Sequence, residues 1–167
     1  GESETTVFAA SGRRLDSIAT SACALVNQRG GSVIWGIADN GKVEGVSKAK
    51  ERAEELTRLL AESIQPRPVF LVRTEAMGDK EVVLVEVAEG ASKPYRFGPH
   101  VYVRLGGTEM RASMDETTHL MQRSAASLTR WEQEAMPGFL LEHCNTAELH
   151  VAKDDMVRSK RFALEVP

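Results

Sequence analysis

The stretch Asn27-Gln28-Arg29-Gly30-Gly31-Ser32-Val33-Ile34-Trp35-Gly36-Ile37-Ala38-Asp39-Asn40-Gly41-Lys42-Val43-Glu44-Gly45 decides how this sequence is read. Upstream of it, Leu15, Ile18, Ala19, Ala22, Leu25 and Val26 recur at helical spacing, so an amphipathic helix is expected from about Arg14 to Gln28. Gly30-Gly31 closes that helix, because a residue without a Cβ takes the left-handed conformation that ends a helix. Ser32 to Ala38 is β-branched and aromatic enough for a buried strand, with Trp35 in the core. Asp39-Asn40-Gly41 is a turn signal, and Val43 to Val46 is the expected return strand.

Working outward, Thr5 to Ala10 reads as a short strand ahead of the first helix. Ser47 is expected to cap a second helix with apolar positions Ala53, Leu56, Leu60 and Ile64, ended by Pro66 and Pro68. Val69 to Arg73 and Glu81 to Ala88 form a hairpin through Gly78-Asp79. His100 to Leu105 is a further strand, with Tyr102 and Arg104 on one face and Val101, Val103 and Leu105 on the other. Ser113-Met114-Asp115-Glu116 has capping-box spacing and starts a third helix running to about Ser127. The order predicts an α+β domain, a mixed and largely antiparallel sheet with helices on one face, and a parallel pair across the first helix. That domain is expected over residues 1–128, followed over 129–167 by a connector and a last helix at Asp154 to Leu164.

With 42% hydrophobic and 27% charged residues, the chain has the composition of a globular protein. No apolar run reaches the length of a membrane span and the first residues are acidic, so an intracellular protein with no membrane partner is expected. Cys23 and Cys144 lack paired-ligand spacing, and so do His100, His119, His143 and His150, which argues against a disulfide framework or a zinc site. The glycines close a helix where a P-loop opens one, and no Lys-Ser/Thr follows, so ATP hydrolysis is disfavoured. The dinucleotide fingerprint also fails on spacing.

A net charge of −3 excludes nucleic-acid binding by bulk charge and requires a local patch. Lys93 to Arg111 holds four bases against Glu109 alone, whereas nine acids face six bases from Asp115 onward. Lys93, Arg96, Tyr102 and Arg104 are therefore the candidate nucleic-acid contacts, the cations for phosphates and the ring for stacking. The other reading is a solvated strand face with Tyr102 half buried. Asp39 is either a turn residue or a carboxylate held at a rigid strand end, and the turn reading is favoured.

The joint spacing is familiar: Gly1-Glu2-Ser3, then Asn27-x-x-Gly30-Gly31-x-Val33-Ile34-x-Gly36-Ile37-x-Asp39-Asn40-Gly41 and Gly45-Val46, then Pro66, Lys93-Pro94-Tyr95 and Val101-Tyr102-Val103-Arg104-Leu105-Gly106. Over about residues 1–128 the chain resembles the Schlafen AlbA-type domain family. The resemblance implies an α+β fold of two related lobes and an association with RNA or DNA. In nucleolytic members it implies a metal-binding trio of acids, of which Glu2 and Asp39 match the first and third. Val7-Phe8-Ala9 stands where those members carry Glu-Phe-Lys, so the second acid and its neighbouring base are absent.

The expectation is a nucleic-acid-binding module with an incomplete acidic site and no cofactor. One alternative is an endoribonuclease using Glu2 and Asp39 as catalytic and metal-holding residues with Mg²⁺ or Mn²⁺, alone or completed by a partner subunit. The other is a non-catalytic assembly subunit, docking a protein partner or a second copy through Trp131, Phe139 and Leu140.

Overall fold

The computed structural model describes residues 5–133, with side chains as far as Ser124. Contacts divide the chain into two compact units, Gly1–Leu128 and Thr129–Pro167. The expectations for Glu2, Phe139, Leu140, His143, Cys144, His150 and a last helix lie outside the described residues, as does the side chain of Trp131.

The first strand, β1 (Thr6–Ala9), leads into α1 (Leu15–Asn27) and returns as β2 (Gly31–Trp35). β1 and β2 pair in parallel, Thr6 against Ser32 through Ala9 against Trp35, as the helical crossover requires. α2 (Ala49–Ser63) and the short β3 (Ile64–Gln65) follow, then the hairpin β4 (Phe70–Met77) and β5 (Lys80–Val87) turning at Gly78-Asp79. β6 (Arg96–Phe97), β7 (His100–Leu105), β8 (Thr108–Arg111) and α3 (Met114–Gln133) complete the described chain. The strands form two four-stranded sheets, ordered β1-β2-β5-β4 and β3-β6-β7-β8, antiparallel at every pairing but the first. The α+β class is as expected, and its strands are shared between two sheets.

α1 explains that division. It packs against β2 and β5 of the first sheet and against β6, β7 and β8 of the second. The expected apolar face is buried apart from the partly exposed Leu15, but so are Ser21, Cys23, Ala24 and Asn27. Ile18 and Leu25 lie in the main core with Val33, Val83 and Val85, each such aliphatic side chain contributing about 1.5–3 kcal/mol by leaving water. Cys23 is a free thiol, and burial pushes it up to about 12, so it is unreactive at neutral pH.

Several local expectations change. The central strand stops at Trp35, and Val43 to Val46 contributes a single bridge, Val43 to Ile37, in place of a strand. Ser47 does not cap α2; Lys48 holds the cap position with a left-handed backbone and no side-chain cap bond. The capping box of α3 forms as its spacing predicts: the Glu116 amide donates to Ser113 Oγ at 3.2 Å and the Ser113 amide to Glu116 Oε2 at 2.7 Å. α3 runs past Ser127 to Gln133.

Candidate functional site

The C-terminus of α1 is where the two sheets meet. Gly30, at φ +74°, turns its amide back to the Leu25 carbonyl at 2.9 Å. Gly31 is at φ +145°, where a Cβ would collide with the Thr5 carbonyl in the parallel pair. Asn27 is fully buried and uses its whole amide: Nδ2 donates to the Tyr95 and Tyr102 carbonyls at 2.8 Å each, and Oδ1 accepts from the Tyr95 amide at 2.6 Å. Lys93 donates from Nζ to the Gln28 carbonyl at 2.5 Å and to Glu89 Oε1 at 2.6 Å. The Lys93 hydrogen bond, then the charges of Lys93, Arg123 and Arg29, hold the Glu89 carboxyl below its ordinary 4.5.

These contacts correct the placement of the expected basic patch. The Lys93 side chain is only 4% exposed, a cation that closes a helix end by binding a backbone carbonyl. Arg96 pairs with Val101 across the β6–β7 hairpin, which puts its side chain on the Val101 face of the sheet, opposite Tyr102 and Arg104. It is exposed and donates to Gln65 Oε1 at 2.9 Å. Tyr102 packs half-buried against the main core and meets the His100 ring edge-on at 6.2 Å. The face of β7 with Tyr102 and Arg104 is therefore covered, and the four residues do not share one solvent-facing surface.

Arg104 is the exception among the covered residues. Its side chain is 3% exposed, and Nη1 bonds Glu109 Oε1 at 2.8 Å across the β7–β8 pair. Gln28 Nε2 donates to the Arg104 carbonyl. Nε and Nη2 have no hydrogen-bond partner, and they are the buried side-chain nitrogens or oxygens so placed among the described residues. The residue stands in the wall of a cavity of about 250 Å³, with Gln28, Arg29, Gly106, Gly107 and Arg123 around it. Gly106 and Gly107, at φ +58° and +87°, form the two-residue turn from β7 into β8. Among the described residues no carboxylate lines this cavity. Among the described residues around it, Lys93, Arg29 and Arg123 act on Glu89, and Arg104 pairs with Glu109.

Two larger hollows carry both signs of charge. One, of about 510 Å³, has Arg14 paired with Asp16 at 3.3 Å, and its Arg52 pairs with Glu55 at 3.0 Å. The other, of about 600 Å³, is bordered by Glu44, Asp79, Lys80 and Glu81. Glu44 accepts from the Ser11 amide and hydroxyl at 2.9 Å each, which lowers its pKa from the usual value.

Asp39 is exposed in the turn between Ala38 and Lys42. Asn40 makes the side-chain bond of that turn, accepting from the Lys42 amide at 2.9 Å. Among the described residues no three His, Cys, Asp or Glu side chains gather to hold a metal ion. Of the implied trio they supply Asp39 alone, Glu2 lying outside them and Val7 standing at the second position, and no metal-dependent step is assigned.

Sequence reasoning missed Gln28, Arg29, Glu109 and Arg123. One signal was legible: Gly106-Gly107 followed by Thr108 to Arg111 is hairpin chemistry, and it would have placed Glu109 opposite Arg104.

The family model described as Schlafen, AlbA_2 matches residues 2–113. Among solved structures, the DIP2311 protein from Corynebacterium diphtheriae is 16% identical with a TM-score of 0.55, over 72% of this chain and 24% of that one. That likeness is one of fold, and the chain spans about a quarter of the DIP2311 protein. The N-terminal domain of a RecG-related protein from Nitrosomonas europaea is 20% identical with a TM-score of 0.48, over 68% of this chain and 86% of that one. No curated protein matches the sequence. Among the described residues, no helix is long and apolar enough to cross a membrane.

Proposed function

The chain belongs to the Schlafen, AlbA_2 family, and from that premise we propose that it is a nucleic-acid-binding module working through phosphate contacts. The observation that carries this reading is the convergence of Arg29, Arg104 and Arg123 on one cavity that no carboxylate lines among the described residues, in a chain of net charge −3. An anionic protein that binds a polyanion needs such a local excess of positive charge, and guanidinium groups suit phosphate geometry. In this reading Arg29 and Arg123 meet the strand at the rim, Arg104 lies deeper, and Lys93 supports the site from below by closing α1. Arg96 and Tyr102 belong to the second sheet's other contacts and are secondary.

Fluorescence anisotropy with hairpin RNA and duplex DNA across a salt titration tests the reading. The double variant Arg29→Glu/Arg123→Glu, both exposed positions, is expected to lose roughly tenfold or more in affinity and to flatten the salt dependence. Unchanged affinity and slope would sink the proposal. Running the same RNA with Mg²⁺ or Mn²⁺ reads out cutting directly; cleavage that needs both the ion and Asp39 would turn the binder into an enzyme.

A further inference from the structure

We infer that the Nε and Nη2 edge of Arg104 is a bidentate receptor for a single phosphate group entering the cavity behind the Gly106-Gly107 turn. That the phosphate is carried by a nucleic-acid strand rests on the function proposed above.

The two atoms without partners are not an arbitrary pair. In a guanidinium the Nε–H and one Nη2–H point the same way, forming the side-on edge that grips two oxygens of one oxyanion. Nη1, outside that edge, is held by Glu109. The plane of the group is thereby fixed while the gripping edge stays unused. A buried donor left without a partner is destabilising by about 1–3 kcal/mol, and here two sit side by side. Because the edge is already shielded from bulk water, an oxyanion that reaches it displaces little hydration from the guanidinium.

The surroundings select the ligand. The cavity, at about 250 Å³, is smaller than the roughly 300–1,000 Å³ of pockets for drug-sized ligands, and among the described residues no aromatic ring lines it for a base to stack upon. A phosphate with its ester arm fits that description better than a whole nucleotide. Gly107 borders the gripping edge: a Cβ there would stand 3.9 Å from Nη2, at ordinary contact distance. Arg29 and Arg123 add charge at the mouth, opposed by Glu89, while Glu109 offsets Arg104 itself.

The test follows the Arg104 Nε–H resonance in ¹⁵N spectra of the full chain, assigned by its loss in Arg104→Lys. Inorganic phosphate is titrated at constant ionic strength, with acetate as a parallel arm. A saturable shift with phosphate and none with acetate is expected, together with a loss of phosphate affinity of roughly tenfold or more, read from the Gly106 and Gly107 amides, in Arg104→Lys, which keeps the charge but not the fork. Strands with a 5′ phosphate and with a 5′ hydroxyl then separate an end phosphate from an interior one, and a shift with either supports the site. A flat phosphate titration, or an equal response to acetate, overturns it, even if hairpin RNA still binds in the anisotropy assay. A saturable phosphate shift in a protein that binds no nucleic acid upholds the site and defeats the function proposed above.

Discussion

Lys93 and Arg104 are both cations withdrawn from water beside the same helix end, yet their surroundings differ. Lys93 bonds a helix carbonyl and a carboxylate, and Asn27 beside it uses donor and acceptor alike. Arg104 has one carboxylate on Nη1 and two idle nitrogens. A polar group buried with its partners holds a fold together, whereas one buried without them weakens it unless a ligand supplies the bond. The first region therefore reads as architecture and the second as a place prepared for something else.

The comparison breaks most readily at Asn27. Asn27→Ala removes the three short hydrogen bonds of its amide and strands the Tyr95 amide and the Tyr102 carbonyl, leaving the Tyr95 carbonyl only the weak Cys23 thiol donor, so a loss of roughly 3–5 kcal/mol is expected by urea denaturation. A loss below about 1 kcal/mol would mean that water satisfies those groups and that Asn27 is no staple. The two cations provide the next contrast, measured in phosphate-free buffer. Lys93→Met is expected to lose about 1–3 kcal/mol, while Arg104→Met/Glu109→Leu, which replaces the whole pair with apolar groups, should stay within about 1 kcal/mol of the parent. Equal losses would erase the distinction between them.

The smallest effect is a pH dependence at Glu89. Its carboxyl sits below 4.5 in the fold, chiefly through the Lys93 hydrogen bond, and returns to its ordinary value on unfolding. The stability it adds is thus fully present above that ordinary value and is lost as pH falls through the lower folded value. Thermal melts between about pH 5 and about pH 3 should fall less steeply in Glu89→Gln than in the parent, by a small margin because the side chain is half exposed. Parallel curves would show that the Lys93 bond does not need the charge.

Much of this molecule was legible one residue at a time. The helical period from Leu15 to Val26, the Gly30-Gly31 stop, the Gly78-Asp79 hairpin and the Ser113 to Glu116 capping box each encode local geometry in nearby residues. The quoted motif, from Asn27 to Gly45 and on to Lys93-Pro94-Tyr95, also pointed to the family. The motif's structural meaning was not visible: Asn27 and Tyr95 belong together because one bonds the other's backbone across 68 positions.

What the sequence determined by itself was the alternation along β7, with Tyr102 and Arg104 on one side and Val103 on the other. Only tertiary structure decided which side meets α1, since that depends on a second sheet closing over a helix whose own pattern announced one apolar face. Strand periodicity sorts side chains into two sets, but burial belongs to whatever non-local element arrives to cover one of them. That is why the charge count found Arg104, and only the packing showed it enclosed with two of its three guanidinium nitrogens unspent.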